Sequence, residues 1–205
     1  MAATVRIPVN GVSLAVTDHG SASGAAARAL VLAHATGFCG AVWRPLIPAL
    51  RGRFRVITLD QRGHGDSDKP DTAYVWRDFV EDLAGVIDAL RLREVYAVGH
   101  SKGGAAVAGV AAHHPGRIAR AVLLDPVLTD ALPEGREVPA NVLAAGARRR
   151  RQVWKSREQL LVSFAGRPPF DVWRRDFLEA YVDCGTFVRE DGQVSYSFSV
   201  AADNR

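Results

Sequence analysis

The stretch A97-V-G-H-S-K-G-G-A105 decides how this chain is read. Val95 to His100 form an apolar run of strand length, and the small residues from Gly103 onward have the texture of a closely packed helix. Between them stands Ser101, flanked by Gly99 and Gly103 in the pattern G-x-S-x-G. The pattern alone is short enough to arise by chance, so its setting carries the weight. A strand that turns at once into a helix lifts the intervening hydroxyl above the sheet edge, and the tightness of that turn leaves little room for Cβ atoms beside it. The start of the helix also brings unpaired N–H groups and the positive end of a dipole to the serine.

Working outward, "ALVLAH" (29–34), "FRVITLD" (54–60) and "RAVLLD" (120–125) have the same near-continuous apolar character as the elbow strand. That is the signature of strands buried on both faces. Phe79, Leu83, Ile87 and Leu90 recur at helical spacing among acidic residues, predicting an amphipathic helix. Strands alternating with helices imply a mostly parallel sheet covered on both faces, an α/β fold. Upstream, Asn10-Gly11 separates "TVRIPV" from "SLAVTD" and predicts a tight hairpin.

After Asp125 the alternation stops. Residues 129–187, rich in Arg, Trp and Phe, predict a helical cap inserted over a core of residues 1–128, with no buried strand. Within it, Trp154, Phe164, Phe170, Trp173 and Phe177 are candidates either for core or for the wall of an apolar pocket. In the tail, 188–205, Val194, Tyr196, Phe198 and Val200 alternate with polar residues and predict a strand, which could pair with the open edge left by the last parallel strand.

Composition narrows the function classes. The 205 residues are 48% hydrophobic and 23% charged, with a net charge of +4, as expected for a soluble globular domain. No apolar run reaches membrane-spanning length and the N-terminus lacks an export-type apolar segment, so the expectation is a cytoplasmic protein without a membrane partner. Cys39 and Cys184 have neither disulfide nor metal spacing and read as free thiols; no metal or cofactor is expected. Lys69, Lys102 and Lys155 are the only lysines among 26 basic residues. The Arg148–Arg151 run reads as a solvated helix face, because no aromatic residues interleave with it as nucleic-acid binding would require.

Four segments together resemble the α/β-hydrolase family: "HATG" (34–37) after the first buried strand, "LDQRGHGDS" (59–67) after the next, the elbow, and "VLLDP" (122–126) after the strand that follows it. The resemblance covers roughly residues 5 to 128, and the cap region more loosely. It implies Ser101 as nucleophile, an oxyanion hole made by the backbone N–H groups of Thr36 and Lys102, and Asp125 as the acid of a triad. His64, Asp60 and Asp66 would brace the loops, and the Lys102 side chain would reach solvent. Ala35 stands where the family more often has glycine.

The implied triad lacks its histidine. Chain order in this fold is Ser, then acid, then His, yet the histidines here are His19, His34, His64, His100, His113 and His114. The resemblance therefore implies a hydrolase of esters or related small acyl substrates whose chain is truncated. The alternative is a non-catalytic binding protein that keeps the pocket. Epoxide hydrolysis and dehalogenation are disfavoured, since those branches carry Asp at the nucleophile position.

Overall fold

The computed structural model describes residues 2–24, 27–72, 74–128 and 151–198. Arg148–Arg150 and Val200 lie outside the described residues. Asn10 and Gly11 both take positive φ, 43° and 75°, and close the hairpin of β1 (Ala3–Val9) and β2 (Val12–Gly20), with Val9 opposite Val12. Four parallel strands follow: β3 (Ala29–Ala33), β4 (Arg55–Leu59), β5 (Val95–His100) and β6 (Ile118–Leu124). The six-stranded sheet runs β1-β2-β4-β3-β5-β6, antiparallel at the hairpin and parallel from β4 onward.

Helices α2 (Trp76–Ala89) and α3 (Lys102–His113) cover one face. Their Phe79, Leu83, Ile87, Val107 and Val110 pack with Val31, Ala33, Ile57 and Ala97 from the sheet. On the other face Leu30, Leu32 and Val56 meet Val42, Trp43 and Ile47 from a 3-10 turn (Gly40–Trp43) and α1 (Ile47–Arg51). Consecutive residues of β3 thus enter different cores, which is why the strand is apolar throughout.

The segment 151–198 adds α4 (Arg157–Ala165) and α5 (Arg175–Cys184). Ser156 starts α4, its Oγ accepting the Gln159 N–H at 3.1 Å. Two expectations fail here. Residues 129–187 are not free of strands: β7 (Val153–Trp154) and β8 (Thr186–Val188), which begins there, flank β9 (Val194–Tyr196), the strand expected in the tail, in a small antiparallel sheet ordered β7-β9-β8. β7 and β8, of two and three residues, are too short to generate a period of their own. The tail strand, moreover, pairs with β7 and β8 and not with β6. Among the described residues β6 pairs only with β5, and Val122 and Leu124 are exposed.

Of the five aromatic candidates, Trp154, Phe164 and Phe170 are core. Phe164 and Phe170 stack with centroids 4.4 Å apart, and Tyr181 packs against both rings.

Candidate active site

All four parallel strands deliver their following loops to the same end of the sheet, where open α/β sheets gather their chemistry. Ser101 stands between β5 and α3 with φ 51° and ψ −113°. A residue with a Cβ avoids this conformation, and backbone contacts on both sides hold it there. The Ser101 N–H donates to the Leu124 carbonyl at 2.9 Å, and its own carbonyl accepts the Val127 N–H at 3.3 Å. The glycines around it are close-approach positions. A Cβ on Gly103 would overlap the Ala33 carbonyl, and one on Gly99 would overlap the Gly103 carbonyl.

The "HATG" loop is organised by two buried histidines. His34 Nδ1–H donates to the Ala35 carbonyl at 2.8 Å and its Nε2 accepts the Gln61 N–H at 3.0 Å. His64 Nδ1–H donates to the Arg62 carbonyl at 2.9 Å and its Nε2 accepts the Gly37 N–H at 3.0 Å. Both rings are fully buried, and the backbone donor at each Nε2 fixes a neutral tautomer. Burial pushes His34 down to about 3, and pushes His64 well below the ordinary histidine range with Lys102 adding to the effect. Among the described residues no hydrogen bond uses the Thr36 N–H. The Lys102 N–H is the first of α3 and directly follows Ser101.

The other loop residues are bracing elements in this geometry. Asp60 accepts the Gly40 N–H at 2.6 Å and the Asp66 N–H at 2.9 Å, while burial raises its carboxyl. Arg62 grips Asp82 of α2 with two hydrogen bonds of 2.7 and 2.6 Å.

Asp125 follows β6 at φ 44° and is exposed. Its charge reaches His100, whose ring burial pushes below the usual range and Asp125 pulls partly back. His100, Phe38, Val42, Trp43, Leu124, Trp173, Arg174 and Phe177 line a cavity of about 340 Å³. His100 and Leu124 adjoin Ser101 and Asp125 in the chain, so this mainly apolar cavity lies beside the elbow. Trp173 and Phe177 are therefore wall, unlike the three core aromatics. Phe38 was not among the residues singled out by the sequence; the signal available was its position, directly after "HATG".

The Lys102 side chain corrects an expectation. It does not reach solvent but is fully buried, with Nζ 4.3 Å from the centroid of the Phe79 ring and 3.4 Å from His64 Nε2. Cys39 and Cys184 are free thiols, the first buried and pushed up to about 12 by that burial. Among the described residues no cluster suited to a metal occurs, and no helix is long and apolar enough to cross a membrane.

A mostly parallel sheet with a strand-turn-helix serine after β5 is the architecture of an α/β-hydrolase. The family comparison agrees: the alpha/beta hydrolase fold family matches residues 28–176, and the chain belongs to it. It is 35% identical over 120 residues to 2-(acetamidomethylene)succinate hydrolase of Mesorhizobium japonicum, covering 58% of this chain and 41% of that protein. It is 44% identical over 88 residues to a non-heme chloroperoxidase of Streptomyces lividans, covering 40% of this chain and 32% of that one. The crystal structure of E-2-(acetamidomethylene)succinate hydrolase superposes with a TM-score of 0.80 at 28% identity, over 98% of this chain and 70% of that one. Its sequence matches thus span about two fifths or less of these curated relatives.

Proposed function

We propose that this chain carries the nucleophile and oxyanion site of a serine hydrolase acting on carboxylic esters or related small acyl compounds. The observation that carries the reading is the elbow: Ser101 held at φ 51° directly before α3. In the proposed step Ser101 Oγ attacks the acyl carbon, and the carbonyl π pair moves onto oxygen. The N–H groups of Thr36 and Lys102 receive that negative charge; donors of this kind typically contribute about 3 kcal/mol each. Collapse breaks the bond from the acyl carbon to the leaving oxygen, which takes up the proton given up by Ser101 and departs as the alcohol, leaving an acyl-enzyme for water to cleave. Asp125 is the proposed acid. The apolar cavity beside the elbow takes the substrate's hydrophobic part, with the segment 151–198 as a cap over it. Two relatives named as hydrolases of small acyl compounds, the succinate derivative above and a putative carbamate hydrolase of Caulobacter segnis, support this choice of chemistry.

A second reading, a non-catalytic binding protein, is favoured by one observation. Among the described residues no histidine ring hydrogen-bonds to Ser101 Oγ. Intact-mass analysis after treatment with a fluorophosphonate separates the two. A single adduct that maps to Ser101 and is lost in Ser101→Ala is expected; no adduct on folded protein overturns the hydrolase reading in favour of binding.

A further inference from the structure

A buried lysine is an expensive way to fill space. Lys102 sits at the first position of α3 with no exposure to solvent, its Nζ facing the Phe79 ring of α2. Apolar side chains of similar volume in place of a buried charge are often neutral or stabilising. Packing alone therefore does not select a lysine here, and its contact with His64 gives the side chain a task.

Nζ lies 3.4 Å from His64 Nε2, the same atom that accepts the Gly37 N–H at 3.0 Å. The opposite ring nitrogen is committed to the Arg62 carbonyl at 2.9 Å. The imidazole can thus turn its single free lone pair only toward Gly37 and Lys102. Gly37 follows Thr36 in the chain. A continuous path, Lys102 side chain to His64 to Gly37 backbone, therefore joins the two segments whose N–H groups are the proposed oxyanion donors. We propose that Lys102 is a positioning residue of the oxyanion site, acting through His64 to hold the Thr36–Gly37 turn in register with the elbow. This inference rests on the serine-hydrolase reading above.

The physical reason is geometric. Two donors lower a barrier together only when both aim at one oxygen, and preorganisation means the loop does not move to meet it. The cation also helps keep His64 neutral, in addition to its burial. A proton on Nε2 would face the Gly37 N–H and break that bond.

The test is fluorophosphonate labelling at Ser101, measured as a saturation rate and a half-saturating concentration, for the unaltered chain, Lys102→Met and His64→Phe. Phosphonylation places a developing P–O⁻ in the oxyanion site, so the rate reads donor alignment. Lys102→Met is expected to melt at or above the unaltered temperature, yet to label about tenfold or more slowly, with the half-saturating concentration unchanged. A merely structural lysine predicts a lower melting temperature and a weaker half-saturation together, and that result overturns the proposal. So does Lys102→Met labelling at the unaltered rate. If Lys102→Met gives no folded protein, His64→Phe cuts the same path from its other end: slowed labelling with retained half-saturation supports the proposal, and an unchanged rate overturns it. Failure of the unaltered chain to label removes the serine reading and this inference together, and is distinguishable by its occurring before any substitution is made.

Discussion

Replacing Ser101 by glycine is expected to stabilise this protein. With φ 51° and ψ −113° the serine lies outside even the left-handed basin, where a Cβ meets its own backbone. Such conformations carry about 1–3 kcal/mol of strain. Glycine removes that strain but gains freedom in the unfolded chain, which offsets it by about 0.4–1 kcal/mol. The net gain is about 1 kcal/mol, or roughly 2–4 °C in melting temperature for a chain of this size. Ser101→Ala keeps the Cβ and therefore keeps the strain. Thermal and urea unfolding of the three proteins, followed by circular dichroism, is the assay. If Ser101→Gly is no more stable than Ser101→Ala, the elbow is not strained and the argument that tertiary contacts force it open is wrong. The comparison needs no substrate and no catalytic activity.

Acid should destabilise the fold through its two buried histidines. His34 is pushed down to about 3 and His64 well below its ordinary value, so the unfolded chain takes up these protons near pH 6.5 while the native chain does not. Stability is thus full above about pH 6.5 and declines below it, by about 1.4 kcal/mol per pH unit for each ring. Urea midpoints between pH 7 and 4.5 check this, and a flat profile refutes it. Asp82→Asn should remove about 3 kcal/mol, because it takes the two close hydrogen bonds from the Arg62 guanidinium, 7% exposed, and leaves it only the Asp78 carboxylate at 3.4 Å. Replacing both partners by apolar residues should lose much less, and equal losses in the two proteins would contradict that account.

The parallel core is legible in the sequence because its strands are buried on both faces, so "ALVLA" and "RVITL" carry an unbroken apolar signal. Asn10-Gly11 announces its hairpin because both residues adopt the positive φ that the turn requires. The elbow is legible for the same kind of local reason: glycines mark where backbone meets backbone. What local pattern cannot convey is depth. Lys102 is buried because Phe79, from a helix more than 20 residues earlier, and His64, from the loop after β4, close over it. Strands β7 and β8 were invisible for a different reason. Their partner in each case is β9, and two or three residues hold a pairing without displaying one. Trp173 and Phe177 look like Phe164 and Phe170 by residue type; only the packing of α5 separates wall from core.

Ser101 and Asp125 do not stand on equal supports. Ser101 follows β5, which is flanked by β3 and β6, whereas Asp125 follows β6, flanked on one side only among the described residues. Two backbone hydrogen bonds, Ser101 N–H to Leu124 and Val127 N–H to Ser101, stitch the ends of these strands together. The carboxylate therefore takes its placement from the serine's own turn. Fraying of the sheet margin would carry Asp125 away by breaking those two bonds first. Amide exchange at Ser101 and Val127 is then a direct gauge of how long the pair stays assembled, since both N–H groups are released in the same opening.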